Sequence, residues 1–176
     1  MKKFKKIIGF IAGILVIFVG LSLIGGNMTT LKHEISINVP KKVVFSTLAN
    51  LELVSKYNPA VMSAKYISTE HNGIGAAREC DLGKDGMVRE KITAFEIDKS
   101  ISMELYEHNW PLEFMTWTTQ VETVNNATLV SQTMEYKVKF GLIGMLLDKL
   151  VMKNKLDKTM HLVFESMKTY IEKENI

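Results

Sequence analysis

Three polar side chains carry most of the chemical interest in this sequence: Arg78, Glu90 and Gln132. All three are predicted to lie on the inner face of a β-sheet. A carboxylate beside a guanidinium can orient the polar head group of a ligand. The same two charges also make ordinary structural ion pairs, because buried charges are normally paired. Both interpretations stay open for Arg78 and Glu90, and Gln132 fits either a ligand contact or a local hydrogen bond to Thr119.

The other reactive residue types show no catalytic arrangement. The four histidines lack the spacing of a helix-borne metal pair, and the sequence has no Gly-x-Ser-x-Gly or phosphate-binding loop. His108 precedes Trp110 and is either a general base at a cavity mouth or an ordinary loop residue. Cys80, the one cysteine, excludes an internal disulfide and fits a small buried hydrophobe or a nucleophile. We therefore predict no catalytic residue, no metal and no cofactor.

Methionine is frequent, with eleven in 176 residues. Flexible thioether side chains suit a cavity that adapts to apolar ligands. Ordinary core packing would use the same residues, so both interpretations remain. Together with the polar groups, these residues give the predicted lining of a ligand cavity: Arg78, Glu90, Met103, Met115, Trp117, Gln132, Met134, Met160 and Phe164.

A long C-terminal helix is predicted from about Leu142 to Glu172. Apolar residues recur at steps of three and four along one side, and polar residues recur in the same way along the other. The apolar side comprises Met152, Leu156, Met160, Val163, Met167 and Tyr170. Such a helix needs a large apolar surface to pack on.

The preceding chain predicts a sheet that supplies this surface. Alternation of apolar and polar residues from Leu31 to Val39 indicates a half-buried strand. Pro40 then suits the first turn of a helix, and two short helices follow, the second broken by Pro59. From about Met62 to Phe140 the pattern predicts six further strands joined by tight turns.

Turn residues predict the register of three hairpins. The loops are centred on Asp85, on Asp98-Lys99 and on Asn125-Asn126. Opposite charges and apolar residues then face each other across the strands. The predicted pairs are Glu79–Lys91, Asp81–Arg89, Arg78–Ile92 and Ala76–Ala94 in the first hairpin, Ala94–Met103 and Ile92–Leu105 in the second, and Val121–Val130, Thr119–Gln132, Trp117–Met134 and Met115–Tyr136 in the third.

The net charge of +3 originates at the N-terminus. Four of the 22 basic residues lie within the first six positions, and without them the 19 acidic residues are in slight excess. The soluble part therefore lacks the basic surplus of a nucleic-acid-binding protein.

An apolar segment follows these lysines. Ile7 to Ile24 has no charged residue and is at the lower end of the length that spans a membrane. No Ala-x-Ala-like cleavage site follows, which favours an uncleaved signal anchor over a cleaved signal peptide. The lysines place the N-terminus in the cytoplasm and the domain outside the cell membrane of what looks like a bacterial protein. Gly9 and Gly13 form a Gly-x-x-x-Gly pair, which permits a homodimer through this helix, the alternative being a plain lipid-facing helix.

The start of the long helix is unusual in composition. Leu142 to Met152 is apolar nearly all round, apart from Asp148 and Lys149. Either loops around Trp110 cover this stretch, or it touches a membrane surface together with the lysines that follow.

The order of elements resembles the helix-grip fold of the START-like (SRPBCC) superfamily, which includes polyketide cyclases and lipid-transfer domains. The resemblance runs from Leu31 to Lys173. Its carriers are Val39-Pro40-Lys41-Lys42-Val43-Val44-Phe45, Asn50-Leu51-Glu52, Tyr57-Asn58-Pro59, and the late strand through Tyr136 and Gly141 into the long helix. The third of these is similar to an aromatic-Asn-Pro turn that is often Trp-Asn-Pro, so Tyr57 is a mild departure.

The resemblance implies an α+β fold with a seven-stranded antiparallel sheet curved around the C-terminal helix and an elongated apolar cavity between them. It implies no particular chemistry, because the superfamily uses one scaffold for carriers, sensors, cyclases and hydrolase-assisting domains. We expect a transmembrane signal anchor in residues 1–26, a linker in 27–30 and the START-like domain in 31–176.

The expected function is that of a membrane-tethered, non-catalytic binding domain for a lipid or another hydrophobic small molecule. One alternative is an enzyme of the polyketide cyclase/dehydrase or hydrolase type that uses Arg78, Glu90 or His108 in the cavity. The other is a partner-binding protein of the cell envelope.

Overall fold

A computed structural model describes residues 28–175. The predicted signal anchor, including Ile7–Ile24 and the Gly9/Gly13 pair, lies outside these described residues. Within the described range, none of the helices combines the length and the apolar character needed to cross a membrane.

In residues 28–175, seven strands form one antiparallel sheet in the order β1-β7-β6-β5-β4-β3-β2. The strands are β1 (Thr29–Ile37), β2 (Ser63–Tyr66), β3 (Ala77–Asp81), β4 (Met87–Glu96), β5 (Ser100–Glu107), β6 (Leu112–Val124) and β7 (Ala127–Val138). The first strand begins two residues before the predicted start at Leu31, because Thr29 pairs with Tyr136 and Thr30 with Glu135.

Short helices follow β1, and a long helical stretch follows β7. The first group comprises α1 (Lys41–Ala49), a 3-10 turn (Leu51–Leu53) and α2 (Val54–Tyr57). The second comprises α3 (Gly141–Leu147), a π-helical turn (Asp148–Met152) and α4 (Lys153–Glu174). The predicted order of strand, short helices, six strands and long helix is therefore confirmed. The π turn was not predicted, and such turns are frequent at functional sites.

Helix α4 packs against the sheet and runs along β1. It buries Met160, Phe164, Met167 and Ile171. Two of these, Met160 and Met167, belong to the predicted apolar side, and the other four residues of that side are half-buried against the core: Met152 in the π turn, and Leu156, Val163 and Tyr170 in α4. Trp117 and Met134 pack against the same core from the sheet. Apolar side chains from sheet and helix thus meet as the sequence predicts.

The register of the β6–β7 hairpin is confirmed. Trp117 faces Met134, and Met115 faces Tyr136. The two loop residues, Asn125 and Asn126, have positive φ values of 48° and 65°. A two-residue loop with positive φ at both positions matches the twist of the strands it joins, and asparagine tolerates this conformation.

The register predicted for the β3–β4 hairpin is wrong by two residues. Glu79 faces Arg89 rather than Lys91, and Arg78 faces Glu90 rather than Ile92. The reason is a 3-10 turn over Gly83–Asp85, which places the centre of the loop at Lys84 instead of Asp85. Because side chains alternate between faces with a period of two, an even shift leaves the paired residues of β3, including Arg78 and Glu79, on their predicted faces.

The register predicted for the β4–β5 hairpin is also wrong. Ile92 faces Met103, and a β-bulge between Ile92 and Ala94 then changes the pairing, so that Ala94 faces Ser102. Ala94 is exposed instead of lying on the inner face. Phe95 is half-buried against the core, with its ring 5.4 Å from that of Phe45. A bulge bends its strand, which curves the sheet.

Candidate functional site

A cavity of about 120 Å³ lies between the sheet and α4. The sheet, α4 and the short helices α1 and α2 all contribute to its wall. The lining residues are Leu48, Val54, Tyr57, Asn58, Arg78, Glu90, Ile101, Met103, Trp117, Thr119, Gln132, Val163, Phe164 and Met167. The volume is below the roughly 300–1,000 Å³ of most small-molecule sites, so the space holds a small molecule or part of a larger one.

The polar centre of this cavity is an ion pair between neighbouring strands. Arg78 on β3 donates from Nε to Glu90 Oε2 on β4 at 2.6 Å. The Arg78 side chain also donates from Nη1 to the carbonyl oxygen of Leu51 at 3.0 Å. Since Arg78 is 6% exposed, the charge is withdrawn from bulk water and held by these two partners. The arginine thereby ties the short helices to the sheet.

The electrostatics keep Arg78 cationic. Burial disfavours the charged guanidinium, but the neighbouring Glu90 carboxylate outweighs this effect, and the pKa of Arg78 lies above its ordinary value. The cavity therefore presents a permanent positive charge paired with an acidic side chain. Such a pair can accept a polar or anionic group of a ligand without a change in protonation of the arginine.

Tyr57 brings a hydroxyl to the same wall. The Tyr57-Asn58-Pro59 turn is held by Asn58, whose Oδ1 accepts a hydrogen bond from the Ala60 backbone N–H at 3.0 Å. Burial raises the pKa of Tyr57, and the nearby Arg78 charge works in the opposite direction. The phenol therefore stays neutral and able to donate a hydrogen bond.

Cys80 is not a competent nucleophile in this environment. The residue is 1% exposed, and its Sγ lies 3.8 Å from Glu90 Oε2. Burial, with a further contribution from the Glu90 carboxylate, raises the pKa of the thiol to about 12. The thiol is protonated at neutral pH, and the thiolate is the reactive form.

Six of the nine predicted ligand residues line the cavity: Arg78, Glu90, Met103, Trp117, Gln132 and Phe164. The other three do not. Met115 and Met160 are buried in the core, and Met134 is half-buried against it. Gln132 accepts a hydrogen bond from Thr119 Oγ1 at 3.3 Å, which is the local bond that the sequence allowed.

Sequence reasoning missed the contribution of the short helices. Leu48, Val54, Tyr57 and Asn58 line the cavity, although no strand register can place them there. One signal was available, because Tyr57 and Asn58 belong to the aromatic-Asn-Pro turn. In the sequence, that turn indicated the fold but not a contribution to the cavity.

His108 is not part of this site. Its Nδ1 accepts a hydrogen bond from the Trp110 backbone N–H at 3.2 Å, and the residue does not line the cavity. Among residues 28–175, His, Cys, Asp and Glu side chains form no cluster of three that is suited to a metal ion.

A second depression of about 430 Å³ lies on the surface between α1 and the β4–β5 hairpin. Phe45, Phe95 and Ile97 contribute to its lining, together with the stacked rings of Tyr66 and His71 at 4.1 Å. It is an open groove without a buried ion pair. The cavity beside α4 is more enclosed and contains the buried ion pair, and it is therefore the stronger candidate for a site that holds a polar head group.

The sheet, the long helix laid across it and the cavity between them define a helix-grip fold. The crystal structure of Ara h 8.0201 is similar, with a TM-score of 0.66 and 18% sequence identity over 82% of this chain and 98% of that chain. At this level of identity the likeness shows the fold alone. In all, 293 chains of solved structures match, and so common a scaffold does not select one activity.

The sequence itself matches a family model described as polyketide cyclase / dehydrase and lipid transport, over residues 28–172. The chain belongs to this family, which confirms the superfamily resemblance drawn from the sequence. No curated protein matches it significantly.

Proposed function

We propose that this protein is a membrane-tethered, non-catalytic binding domain for a lipid or another hydrophobic small molecule. The observation that carries the proposal is the cavity beside α4, whose lining combines apolar side chains with the buried Arg78–Glu90 ion pair and further polar groups. A mainly apolar pocket with a few converging polar groups is the usual form of a small-molecule site. The family description, which includes lipid transport, supports the same class of ligand.

The lining contains both kinds of side chain that an amphipathic ligand requires. Ile101, Val163 and Met167 provide apolar surface for a hydrocarbon part. Arg78 and Glu90 provide the contacts for a polar head group. Because the cavity is small, a long acyl chain requires side chains to move, and flexible methionines favour such adaptation.

The tether is the predicted signal anchor Ile7–Ile24, with the binding domain outside the cytoplasm. A fusion of alkaline phosphatase to the C-terminus tests this orientation, because the enzyme is active only outside the cytoplasm. We expect active fusions that stay with the membrane after carbonate extraction. Inactive fusions would refute the orientation, extractable protein would refute the tether, and either result would leave the cavity proposal standing.

Native mass spectrometry of the detergent-extracted full chain tests ligand binding. We expect a co-purifying lipid-sized adduct in the wild type and in the Leu162→Phe variant, which adds a ring at an exposed position of α4. The adjacent Val163→Phe variant places the ring in the cavity and should lose the adduct. Adducts retained equally by both variants would place the molecule elsewhere and refute the proposal.

A second candidate function is an enzyme of the cyclase/dehydrase or hydrolase type. The observation in its favour is the convergence of Arg78 and Glu90 at 2.6 Å in the cavity wall. The Glu90→Gln variant separates the two functions, because it keeps the shape and a hydrogen-bond acceptor but removes the acid. A binding protein carries the same molecule in both forms, whereas an enzyme accumulates its substrate only in the variant.

The remaining alternative, a partner-binding envelope protein, would be favoured by an apolar outer face of the sheet. That face instead carries a chain of ion pairs in which Glu79 contacts Lys65 and Arg89, and Arg89 also contacts Glu107. Charged side chains are depleted at the centres of protein–protein interfaces, so this face does not favour the alternative.

A further inference from the structure

At the start of the long helical stretch, apolar side chains face solvent and an acidic side chain faces the core. Loops around Trp110 do not cover it, which corrects one of the two interpretations of its sequence. Five apolar residues are exposed by 46–71%: Ile143, Leu146, Leu147, Leu150 and Val151. Their spacing of three and four places them on one side of the helix, and we call them the exposed stripe. The opposite side buries Gly144 and the acidic Asp148.

Two buried contacts fix this rotation of the helix. A Cβ atom on Gly144 would lie 1.8 Å from the carbonyl oxygen of Lys139, so glycine permits the close approach of helix and strand. Asp148 accepts hydrogen bonds from the hydroxyls of Tyr136 and Thr29, both at 2.6 Å. Because these contacts require Gly144 and Asp148 to face inward, the exposed stripe must face outward.

The stripe is confined to about three turns. Phe140 extends it at the N-terminal end, where this 66% exposed aromatic residue adopts a left-handed φ of 75°. Beyond Val151, the same side of the helix continues with the exposed residues Asn154, Lys155 and Lys158. A contiguous apolar patch with a polar rim marks an interaction surface.

The rim is basic. Residues 139–156 include four lysines, Lys139, Lys149, Lys153 and Lys155, all exposed, and their one acidic residue is the buried Asp148. An apolar helix side flanked by lysines is the arrangement that inserts into the surface of an anionic bilayer.

The chain enters the domain next to the start of the long helical stretch. Thr29, at the start of β1, donates its hydroxyl hydrogen bond to Asp148, on the side of the helix opposite the stripe. Thr29 lies five residues after Ile24, the end of the predicted anchor. Five residues extend over at most about 18 Å. An anchored domain therefore holds this part of the helix within reach of the bilayer surface.

We propose that the exposed stripe docks on the anionic lipid surface of the membrane in which Ile7–Ile24 is anchored. The inference rests on the tether proposed above. A weak interfacial contact suffices, because the tether makes the second contact intramolecular. Docking fixes the orientation of the domain and lays the start of the long helix in the plane of the membrane.

Depth-dependent quenching tests the docking with the full chain reconstituted in phosphatidylcholine–phosphatidylglycerol vesicles. An environment-sensitive NBD fluorophore is attached through Leu150→Cys or, as a matched control, through Leu162→Cys. Both positions are exposed, but Leu162 lies further along the helix, beyond the stripe. The native Cys80 is buried, so the wild-type chain serves as the labelling blank. Doxyl-labelled lipids are the quenchers.

We expect the fluorophore at position 150 to shift to the blue and lose most of its emission to lipid-borne doxyl groups, and the fluorophore at position 162 to do neither. Vesicles of phosphatidylcholine alone should give weaker quenching, and equal quenching would overturn the role of the basic rim. A blue shift that grows with the protein-to-lipid ratio and is not accompanied by quenching would identify a second copy of the chain as the occupant. That result would overturn the proposal. A blue shift without quenching that stays the same at every protein-to-lipid ratio would identify the N-terminal segment as the occupant and would also overturn the proposal.

The two proposals fail in distinguishable ways. Carbonate-extractable protein overturns the tether and the docking together. Membrane-retained protein whose position 150 remains unquenched overturns the docking alone.

Discussion

The contact between Arg78 and Glu90 provides a partner for both charged side chains. The pair places charge in the wall of a cavity that is withdrawn from bulk water, yet each partner satisfies the other, and the carbonyl oxygen of Leu51 accepts a further hydrogen bond from the arginine. In residues 28–175, no buried side-chain nitrogen or oxygen is without a hydrogen-bond partner. The polar side chains buried around the cavity therefore satisfy one another, which holds the site in one arrangement.

We expect Arg78→Met to lower the free energy of unfolding by about 3–5 kcal/mol, because a buried carboxylate loses its partner. Arg89→Met, which removes a partly exposed arginine from the outer face, should cost about 1 kcal/mol or less. Denaturant unfolding followed by tryptophan fluorescence measures both. The Arg78→Met/Glu90→Leu double variant should recover part of the loss, and a loss equal to the sum of the two single variants would contradict the pairing.

Cys80 gives a pH prediction. An ordinary cysteine has a pKa of 9.0, and burial raises the pKa of the Cys80 thiol to about 12. The unfolded chain therefore releases this proton first as the pH rises. The stabilising contribution is present below pH 9 and is lost between about pH 9 and 12, at up to about 1.4 kcal/mol per pH unit.

The matched measurement is the pH dependence of unfolding for the wild type and the Cys80→Ala variant. We expect the stability of the wild type relative to the variant to decline across this alkaline window. Parallel curves would show that the thiol titrates equally in both states, and would contradict its burial beside Glu90.

At the scale of elements, one carboxylate connects three parts of the fold. Asp148 in the π turn accepts hydrogen bonds from Tyr136 on β7 and Thr29 on β1. The Tyr136 side chain is completely buried, and burial together with the bond to Asp148 raises the pKa of its phenol. This contact determines where the long helical stretch begins and which side of it faces the sheet.

We expect Tyr136→Phe to lower the free energy of unfolding by about 1–3 kcal/mol, because a buried hydrogen bond to a charged group is lost. Tyr106→Phe, at an exposed tyrosine, is the matched control and should be near neutral. Amide hydrogen exchange adds a local readout: exchange in residues 141–152 should accelerate in Tyr136→Phe only. Unchanged exchange there would mean that Asp148 does not hold the helix start.

The sequence predicts elements better than their pairing. A two-residue Asn125-Asn126 loop leaves one register, and that register is confirmed. The 3-10 turn at Gly83–Asp85 and the bulge near Ala94 are backbone features with no mark in the alternation of apolar and polar residues. The even shift in the β3–β4 hairpin preserved the faces, so Arg78 and Glu90 lay close together on the predicted side, although they were not predicted to face each other directly.

At the scale of the whole molecule, the cavity depends on how the sheet, the long helix and the short helices pack together. The sheet side of its lining follows from alternation along the strands, and the helix side from the three-and-four spacing. The remaining side comes from α1 and α2, whose position depends on tertiary contacts such as the bond from Arg78 to Leu51. Local patterns cannot contain that information, and this accounts for the missed residues Leu48, Val54, Tyr57 and Asn58.

For the exposed stripe, the sequence shows the apolar composition but not the side of the helix that faces solvent. The sequence marked residues 142–152 as apolar nearly all round, but only the structure shows which side is free. The inward side is selected by Gly144 and Asp148. Sequence reasoning read the aspartate as an exception to the pattern, whereas it is the residue that orients the helix.

The central claim is that the space beside α4 admits a hydrophobic molecule, and Trp117 in its wall allows a direct measurement. A conjugated polyene fatty acid is titrated into the full chain carrying Trp110→Phe, and energy transfer from Trp117 is recorded. We predict saturable transfer that Leu162→Phe preserves and Val163→Phe abolishes. Transfer that rises without saturation, or that survives Val163→Phe unchanged, would contradict the claim.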